Sequence, residues 1–256
     1  MGFTLGLLGG GGSILTVPIL VYLLGVSPVL ATAYSLFIVG TTSLVGSYQY
    51  HTRQLISYRT AIVFGIPSVI TVYFTRAFVV PAIPEMIAKI GSFTLTKDIF
   101  IMSLFAILMV FAAIGMIRKS GQNEVESSKS EEISFNYPAI LLEGLLVGLL
   151  TGIVGAGGGF LIIPTLVIFS KLDMKLAVGT SLLIISSKSL IGFLGDIAQY
   201  HIDWTLLSVF TFIAIAGIFI GSALSKKISG RKLKVGFGVF VLLMGGCILL
   251  NELILS

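Results

Sequence analysis

The 256-residue chain is 56% hydrophobic and only 11% charged, with a mean hydropathy of +1.08. A water-facing surface needs far more charge, so a soluble domain is excluded and the chain reads as an all-α, polytopic membrane protein. The net charge of +5 sits in short loops between apolar segments, which is the pattern of topology signals and not of a nucleic-acid surface.

Apolar segments fall at residues 2–24, 28–49, 58–80, 99–117, 138–170, 176–195, 204–224 and 233–253. Most have the roughly 20-residue length of a membrane span. No basic stretch precedes the first, so no cleavable signal peptide is expected. That first segment contains "LLGGGGSILTVP", Leu7 to Pro18. Each glycine costs about 1 kcal/mol against alanine inside a helix, so the run demands an explanation. Further on, Pro81 to Lys97 reads as a short amphipathic interfacial helix. Residues 118–137 are polar and rich in Ser and Glu, the composition of a flexible cytoplasmic linker. It divides a first transmembrane repeat, 1–117, from a second, 138–256. Cys247, the lone cysteine, excludes an internal disulfide and reads as a small packed hydrophobe.

The halves match at an offset of 146 residues: Gly2 with Gly148, Gly6 with Gly152, Gly9 with Gly155, Gly11 with Gly157 and Gly12 with Gly158. Pro18 pairs with Pro164, Ser35-Leu36 with Ser181-Leu182 and Gly46 with Gly192. Unrelated apolar stretches would share leucines but not this glycine and proline pattern, so the chain is an internal repeat. The spaced pairs Gly2/Gly6 and Gly148/Gly152 suit close helix packing. The runs at 9–12 and 155–159 do not form a spaced face and read as breaks. "QYH" at Gln49–His51 and Gln199–His201 is offset by 150 residues, so the two histidines are not equivalent. They lack further ligands nearby, and no metal or other cofactor is expected.

Residues 138–170 would span roughly 50 Å as one helix, too long for a hydrocarbon core of about 30 Å and too short for two crossings. If both glycine segments are re-entrant hairpins, each half crosses three times and the repeats are inverted. Cations then divide about 12 inside to 3 outside, with Arg76, Lys89 and Lys97 outside beside Asp196 and Asp203. If each segment crosses once, the repeats are parallel and the division falls to about 10 to 5. The charge rule favours inverted repeats.

A half-helix follows each break, at Ser13–Leu24 and Phe160–Ser170, bent further by Pro18 and Pro164. Its first N–H groups lack helical partners and carry the positive end of the dipole. Two such ends meeting at the bilayer midplane make an anion site. The candidate backbone set is Gly9, Gly10, Gly11, Gly12, Ser13, Gly155, Gly157, Gly158 and Gly159. A phosphate-binding loop is excluded, because neither run is followed by Lys-Ser/Thr. Lys188 lies deep in an apolar helix, where a charge marks a functional site by default. Its repeat mate is Thr42. Ser35, Thr42, Ser43, Thr180, Ser181 and Ser189 are candidate hydroxyl donors facing the breaks. Glu143, near the start of its helix, reads as an interfacial charge.

"GLLGGGGSILTVPIL" and its echo "GIVGAGGGFLIIPTL", followed by "ATAYSL" and "AVGTSL" and later by "IDW", resemble the sulfite exporter TauE/SafE family, also called the toluene-sulfonate uptake permease family. The resemblance implies a multi-pass inner-membrane secondary transporter of small sulfur-containing anions such as sulfite, sulfoacetate or other organosulfonates. It implies no cofactor and no nucleic-acid partner, and export is the expected direction; a homodimer is compatible with it. Tyr34 stands where the second half has Thr180, so the halves of the site are not chemically equal. An anion channel of the same build is the alternative. No nucleophile–base pair or ligand cluster marks an enzyme.

Overall fold

The computed structural model describes residues 2–8, 13–90, 93–118, 137–168, 170, 172–225 and 230–252. The first glycine run, Gly9 to Gly12, and nearly all of the polar linker lie outside the described residues.

Helix α1 spans Gly2–Leu8 and α2 Thr16–Pro18, continued by a wider π-helical turn at Ile19–Leu23. Pro18 has no N–H to donate, and the helix widens directly after it. Helix α3 is Pro28–His51; α4 is Tyr58–Phe74, which runs through a π-helical turn at Thr75–Val79 into α5, Val80–Ala82. Strands β1 (Met86–Ile90) and β2 (Phe93–Thr96) precede α6, Lys97–Arg118. The second half contains α7 (Tyr137–Val154), α8 (Gly159–Ile168), α9 (Met174–Ile197), α10 (Trp204–Ser225) and α11 (Gly230–Leu250). Among the described residues, five helical stretches are long and apolar enough to cross a membrane: Pro28–His51, Tyr58–Ala82, Lys97–Gly115, Lys175–Ile197 and Trp204–Gly221. Phe111, Phe212, Ile213 and Leu243 stand exposed on the outer faces, as lipid-facing side chains do. The protein is a polytopic helical membrane protein.

Two stretches depart from the sequence reading. Pro81–Lys97 is not an amphipathic helix. It contains an antiparallel hairpin pairing Ile90 with Phe93, Lys89 with Thr94 and Met86 with Thr96. The preceding helix ends at Ala82, two residues before Pro84, and Gly-Ser between two β-favouring runs of sequence is hairpin chemistry. Cys247 is exposed instead of packed: it shares the outer stripe of α11 with Leu243 and Leu250, one turn away on either side.

The centre is formed by α3 and α9, whose apolar windows are 67% and 72% buried against at most 39% for the other spans. They pack antiparallel, with Gly40 against Leu190, Gly46 against Leu182 and Leu36 against Gly192. Around them α1 packs on α10, α7 on α4 and α6 on α11; α4 also touches α9, and α10 touches α3. Glycine sets the approach of the outer pairs. A β-carbon added at Gly148 would lie 2.8 Å from the Ser68 carbonyl oxygen, and one at Gly144 2.7 Å from that of Phe64. On the other side, a β-carbon at Gly221 would lie 2.1 Å from the Phe3 carbonyl oxygen. These are contacts of backbone on backbone, open only to glycine.

Gly148→Leu should therefore push α7 off α4 and lower the unfolding temperature of the purified protein, by the equivalent of about 1–3 kcal/mol for an overpacked contact. Gly246→Ala, where no atom stands within 4 Å, should leave it unchanged. A thermal melt in detergent compares the two.

Candidate functional site

Between α7 and α8 the chain turns on glycine. Gly155, Gly157 and Gly158 have φ of +68°, +68° and +73°, the left-handed region that costs other residues about 1–2 kcal/mol. The turn is buried throughout, so its backbone partners must come from protein. The Gly155 N–H donates to the Thr151 carbonyl (2.9 Å), closing α7. The Gly158 carbonyl accepts from Leu161 (3.0 Å) and Ile162 (2.9 Å), opening α8. The elbow is wedged between the two central helices. A β-carbon at Gly155 would lie 2.6 Å from the Thr32 carbonyl oxygen of α3, and one at Gly157 2.5 Å from Val39 Cγ1.

Lys188 meets this elbow near the middle of α9. It is fully buried, and its Nζ donates to Thr151 Oγ1 at 2.8 Å. Thr151 in turn donates to the Val147 carbonyl (2.7 Å). A β-carbon at Gly158 would stand 2.7 Å from Lys188 Nζ and 2.2 Å from Thr151 Cγ2, so glycine is what admits the amine. The structure thus brings Lys188, Gly157 and Gly158 together. Gly159 is buried at the first position of α8, and Ser13 is buried ahead of α2.

The hydroxyls divide into two groups. Ser35, Ser43 and Ser189 are buried with Oγ atoms that find no hydrogen-bond partner among the described residues. The others are engaged locally: Thr42 donates to the Ile38 carbonyl and Ser181 to that of Val178 (2.8 Å). Thr180 Oγ1 accepts the Ser57 N–H (2.9 Å) just before α4. Tyr34, its match at the 146-residue offset, accepts the Asp203 N–H (2.8 Å) just before α10. The two unlike residues make the same bond in equivalent places, anchoring the start of the next helix.

One cluster escaped the sequence reading. Arg76 and Asp196, placed there among the outer loop charges, are both fully buried and form an ion pair. Nε of Arg76 donates to Asp196 Oδ1 (2.9 Å) and Oδ2 (2.8 Å), and Nη1 donates to Thr32 Oγ1 (3.0 Å) and the Gly152 carbonyl (3.2 Å). The signal was available: Arg76 sits inside the apolar run "VYFTRAFVV", and the rule that singled out Lys188 applies to it equally. Glu143 is partly buried, and its Oε2 finds no partner among the described residues. His51 touches the Tyr58 hydroxyl, and His201 is exposed. Among the described residues no group of three or more His, Cys, Asp and Glu side chains is placed to hold a metal ion.

These features define a helical membrane protein with charged groups buried at a broken helix. The chain belongs to the sulfite exporter TauE/SafE family, whose model matches residues 1–248. It is 28% identical over 249 residues to a probable membrane transporter protein of Xylella fastidiosa strain 9a5c, covering 94% of this chain and 88% of that one. It is 26% identical to the probable membrane transporter protein YunE of Bacillus subtilis, covering 98% and 93% of the two chains. It is also 26% identical to the probable membrane transporter protein MJ0441 of Methanocaldococcus jannaschii, covering 96% and 91%. No solved structure matches the chain.

Thr151→Val keeps shape but removes the acceptor of a fully buried amine. It should destabilise the protein by about 1–3 kcal/mol or more, the cost of leaving a buried donor unpaired. Thr165→Val, at a partly buried hydroxyl that bonds only its own helix, should cost less. Paired thermal melts read the difference.

Proposed function

We propose that the protein is a secondary transporter of small sulfur-containing anions, such as sulfite, sulfoacetate and other organosulfonates, in the cell inner membrane, with export as its direction. The observation that carries the reading is the fully buried Lys188 amine at the glycine elbow. A buried lysine beside left-handed glycines and the start of α8 supplies donors for an oxyanion, and membership of a sulfite exporter family supports the substrate class. The elbow glycines Gly155, Gly157, Gly158 and Gly159, with Lys188, Ser189, Ser35 and Ser43, form the anion site at the second break. Gly9 to Gly12 and Ser13 serve the same purpose at the first. Thr42, Thr180 and Ser181 act at one remove, because their hydroxyls are already engaged.

The two halves are inverted repeats, and alternating access arises from their rocking about this site. Two observations support this. Exchanging each residue with its mate at the 146-residue offset turns the α1–α10 pair into α7–α4 and the α4–α9 pair into α10–α3. It also turns the contact of Gly46 with Leu182 into that of Gly192 with Leu36. The matching helices α3 and α9 are antiparallel, which requires a two-fold axis across the helix direction, in the membrane plane. Each glycine segment is then a re-entrant hairpin, and 1–117 and 138–256 are the two repeats.

Purified protein in liposomes should carry labelled sulfite, sulfoacetate or isethionate in preference to acetate and chloride. Lys188→Ala should weaken sulfonate binding about tenfold or more, the worth of one charged hydrogen bond. No flux of any sulfur anion would remove the substrate reading, and single-channel currents would favour an anion channel of the same architecture.

A further inference from the structure

The Arg76–Asp196 pair is not needed to explain Lys188, yet it touches the same elbow. Arg76 bonds Thr32, on whose backbone Gly155 rests, and the carbonyl of Gly152 at the end of α7. It therefore joins α3, the α4 turn, α7 and α9 at one point. Two fully buried charges carry a large desolvation cost, which replacement by apolar groups would often relieve.

The pairing is also incomplete. A well-matched carboxylate takes two parallel N–H bonds from the guanidinium fork. Here both Asp196 oxygens crowd onto Nε, and Nη2 stands 2.8 Å from Oδ2 without the alignment of a hydrogen bond. Other donors collect nearby. Thr75 Oγ1, which would lie 3.3 Å from a β-carbon at Gly152, finds no partner among the described residues, nor does Ser35 Oγ, one turn along α3 from Thr32. Asp196, the Thr32 hydroxyl and the Gly152 carbonyl take up Nε and Nη1, which leaves Nη2 and the two hydroxyls with donor capacity that finds no hydrogen-bond acceptor among the described residues. A sulfonate, with three acceptor oxygens and one negative charge, supplies what these groups lack.

We propose that Arg76 is a second anion-binding residue on the path through the protein, and that Asp196 is the internal counter-ion which an incoming sulfonate replaces. The proposal rests on the anion-transport reading. Asp196 and the anion compete for one cation. Protonating Asp196 adds one proton to the carboxylate, removes the competitor and leaves the Arg76 charge to the anion. Anion binding therefore strengthens as pH falls. The groups facing the pair are few. From α3 comes Thr32 and from α7 the Gly152 carbonyl, neither of which titrates in this range. Beyond the end of α9, Tyr200 interacts with Arg76, Asp196, Glu85 and Asp98, and burial pushes its phenol up, so it stays neutral. Glu85 itself lies toward Lys97, at 3.9 Å, on the surface. Lys188 is about two turns back along α9.

The test is calorimetric binding of isethionate, whose single charge does not titrate, to the full-length protein in detergent. Wild type should bind more tightly as pH is lowered from 8 to roughly 5, toward the ordinary range of a carboxylate. Asp196→Asn should bind more tightly than wild type at pH 8 and show a flat profile. Arg76→Gln should bind weakly with a flat profile, whereas Lys188→Ala should bind weakly but keep the slope. A wild-type profile that is flat, or an Asp196→Asn protein that binds no tighter and keeps the slope, overturns the proposal while leaving the transport reading intact. A flat wild-type profile overturns the proposal even if a variant fails to fold, and a slope lost in Lys188→Ala but kept in Asp196→Asn overturns it as well. Absence of binding of isethionate, sulfoacetate and sulfite by wild type removes the transport reading and this inference with it.

Discussion

A helix broken inside an apolar interior leaves carbonyl groups that no water can reach, and the rest of the site follows from satisfying them. At the end of α7 the Thr151 carbonyl is taken by the Gly155 N–H, and the φ of +68° at Gly155 then turns the chain out of the helix. The Gly152 carbonyl is taken by Arg76. A cation also suits the negative end of the α7 dipole. But a buried cation needs a counter-ion, and Asp196 supplies it from the end of α9. Each group in the chain from glycine to carbonyl to arginine to aspartate is there because the preceding one would otherwise be buried without a partner.

The packing of the outer helices gives this chain its mechanical setting. α7 leans on α4, across the linker in sequence, and α1 leans on α10. Both contacts are backbone on backbone through glycine, at Gly144, Gly148 and Gly221 among others. Under the proposed repeat, each half houses the broken helix of the other. Such an arrangement resists sliding along those seams, because interdigitated backbones have no soft side chain to yield. The central pair, α3 and α9, is softer: its contacts include Gly40 on Leu190 and Gly46 on Leu182, glycine against a side chain that can change rotamer. The elbow sits on that same pair, through Thr32 and Val39 on one side and Lys188 on the other.

The class and the family were legible because they rest on patterns that chemistry leaves on a single strand of text: long apolar runs, and glycines and prolines recurring at one offset. Lys188 was legible for a related reason, as a charge standing alone among apolar neighbours. Arg76 obeys the same rule but lies close to a segment end, where a sequence cannot tell a buried charge from one that reaches water. Asp196 lies just past an apolar run, and only the fold shows that the end of α9 meets the turn after α4 there. The shared duty of Tyr34 and Thr180 was hidden for another reason. A phenol and a threonine hydroxyl have different reach, so they can satisfy equivalent N–H groups only where the backbones differ in spacing, and spacing is a property of the fold. The hairpin at Met86–Ile90 and Phe93–Thr96 is hard to read because the run Pro81–Lys97 also has the composition of an amphipathic helix.

Among the described residues, the two fully buried cations, Arg76 and Lys188, belong to the second elbow. At the 146-residue offset Lys188 falls on Thr42, Arg76 on Ser222 and Asp196 on Tyr50, so the other side has no charge at the matching places. A site built equally from two half-helix ends would sit on the axis relating them, and an anion there would feel the halves alike. At the proposed anion site, charges on one side would draw the anion toward α7, α8 and α9. The same asymmetry separates two energies that a symmetric carrier would make equal. Under the proposed alternating access, closing the side that holds Arg76 and Asp196 would bury this ion pair, for which the offset positions Ser222 and Tyr50 hold no counterpart. The two faces would then open against different resistances, and a change of charge on Asp196 would act on one of them alone.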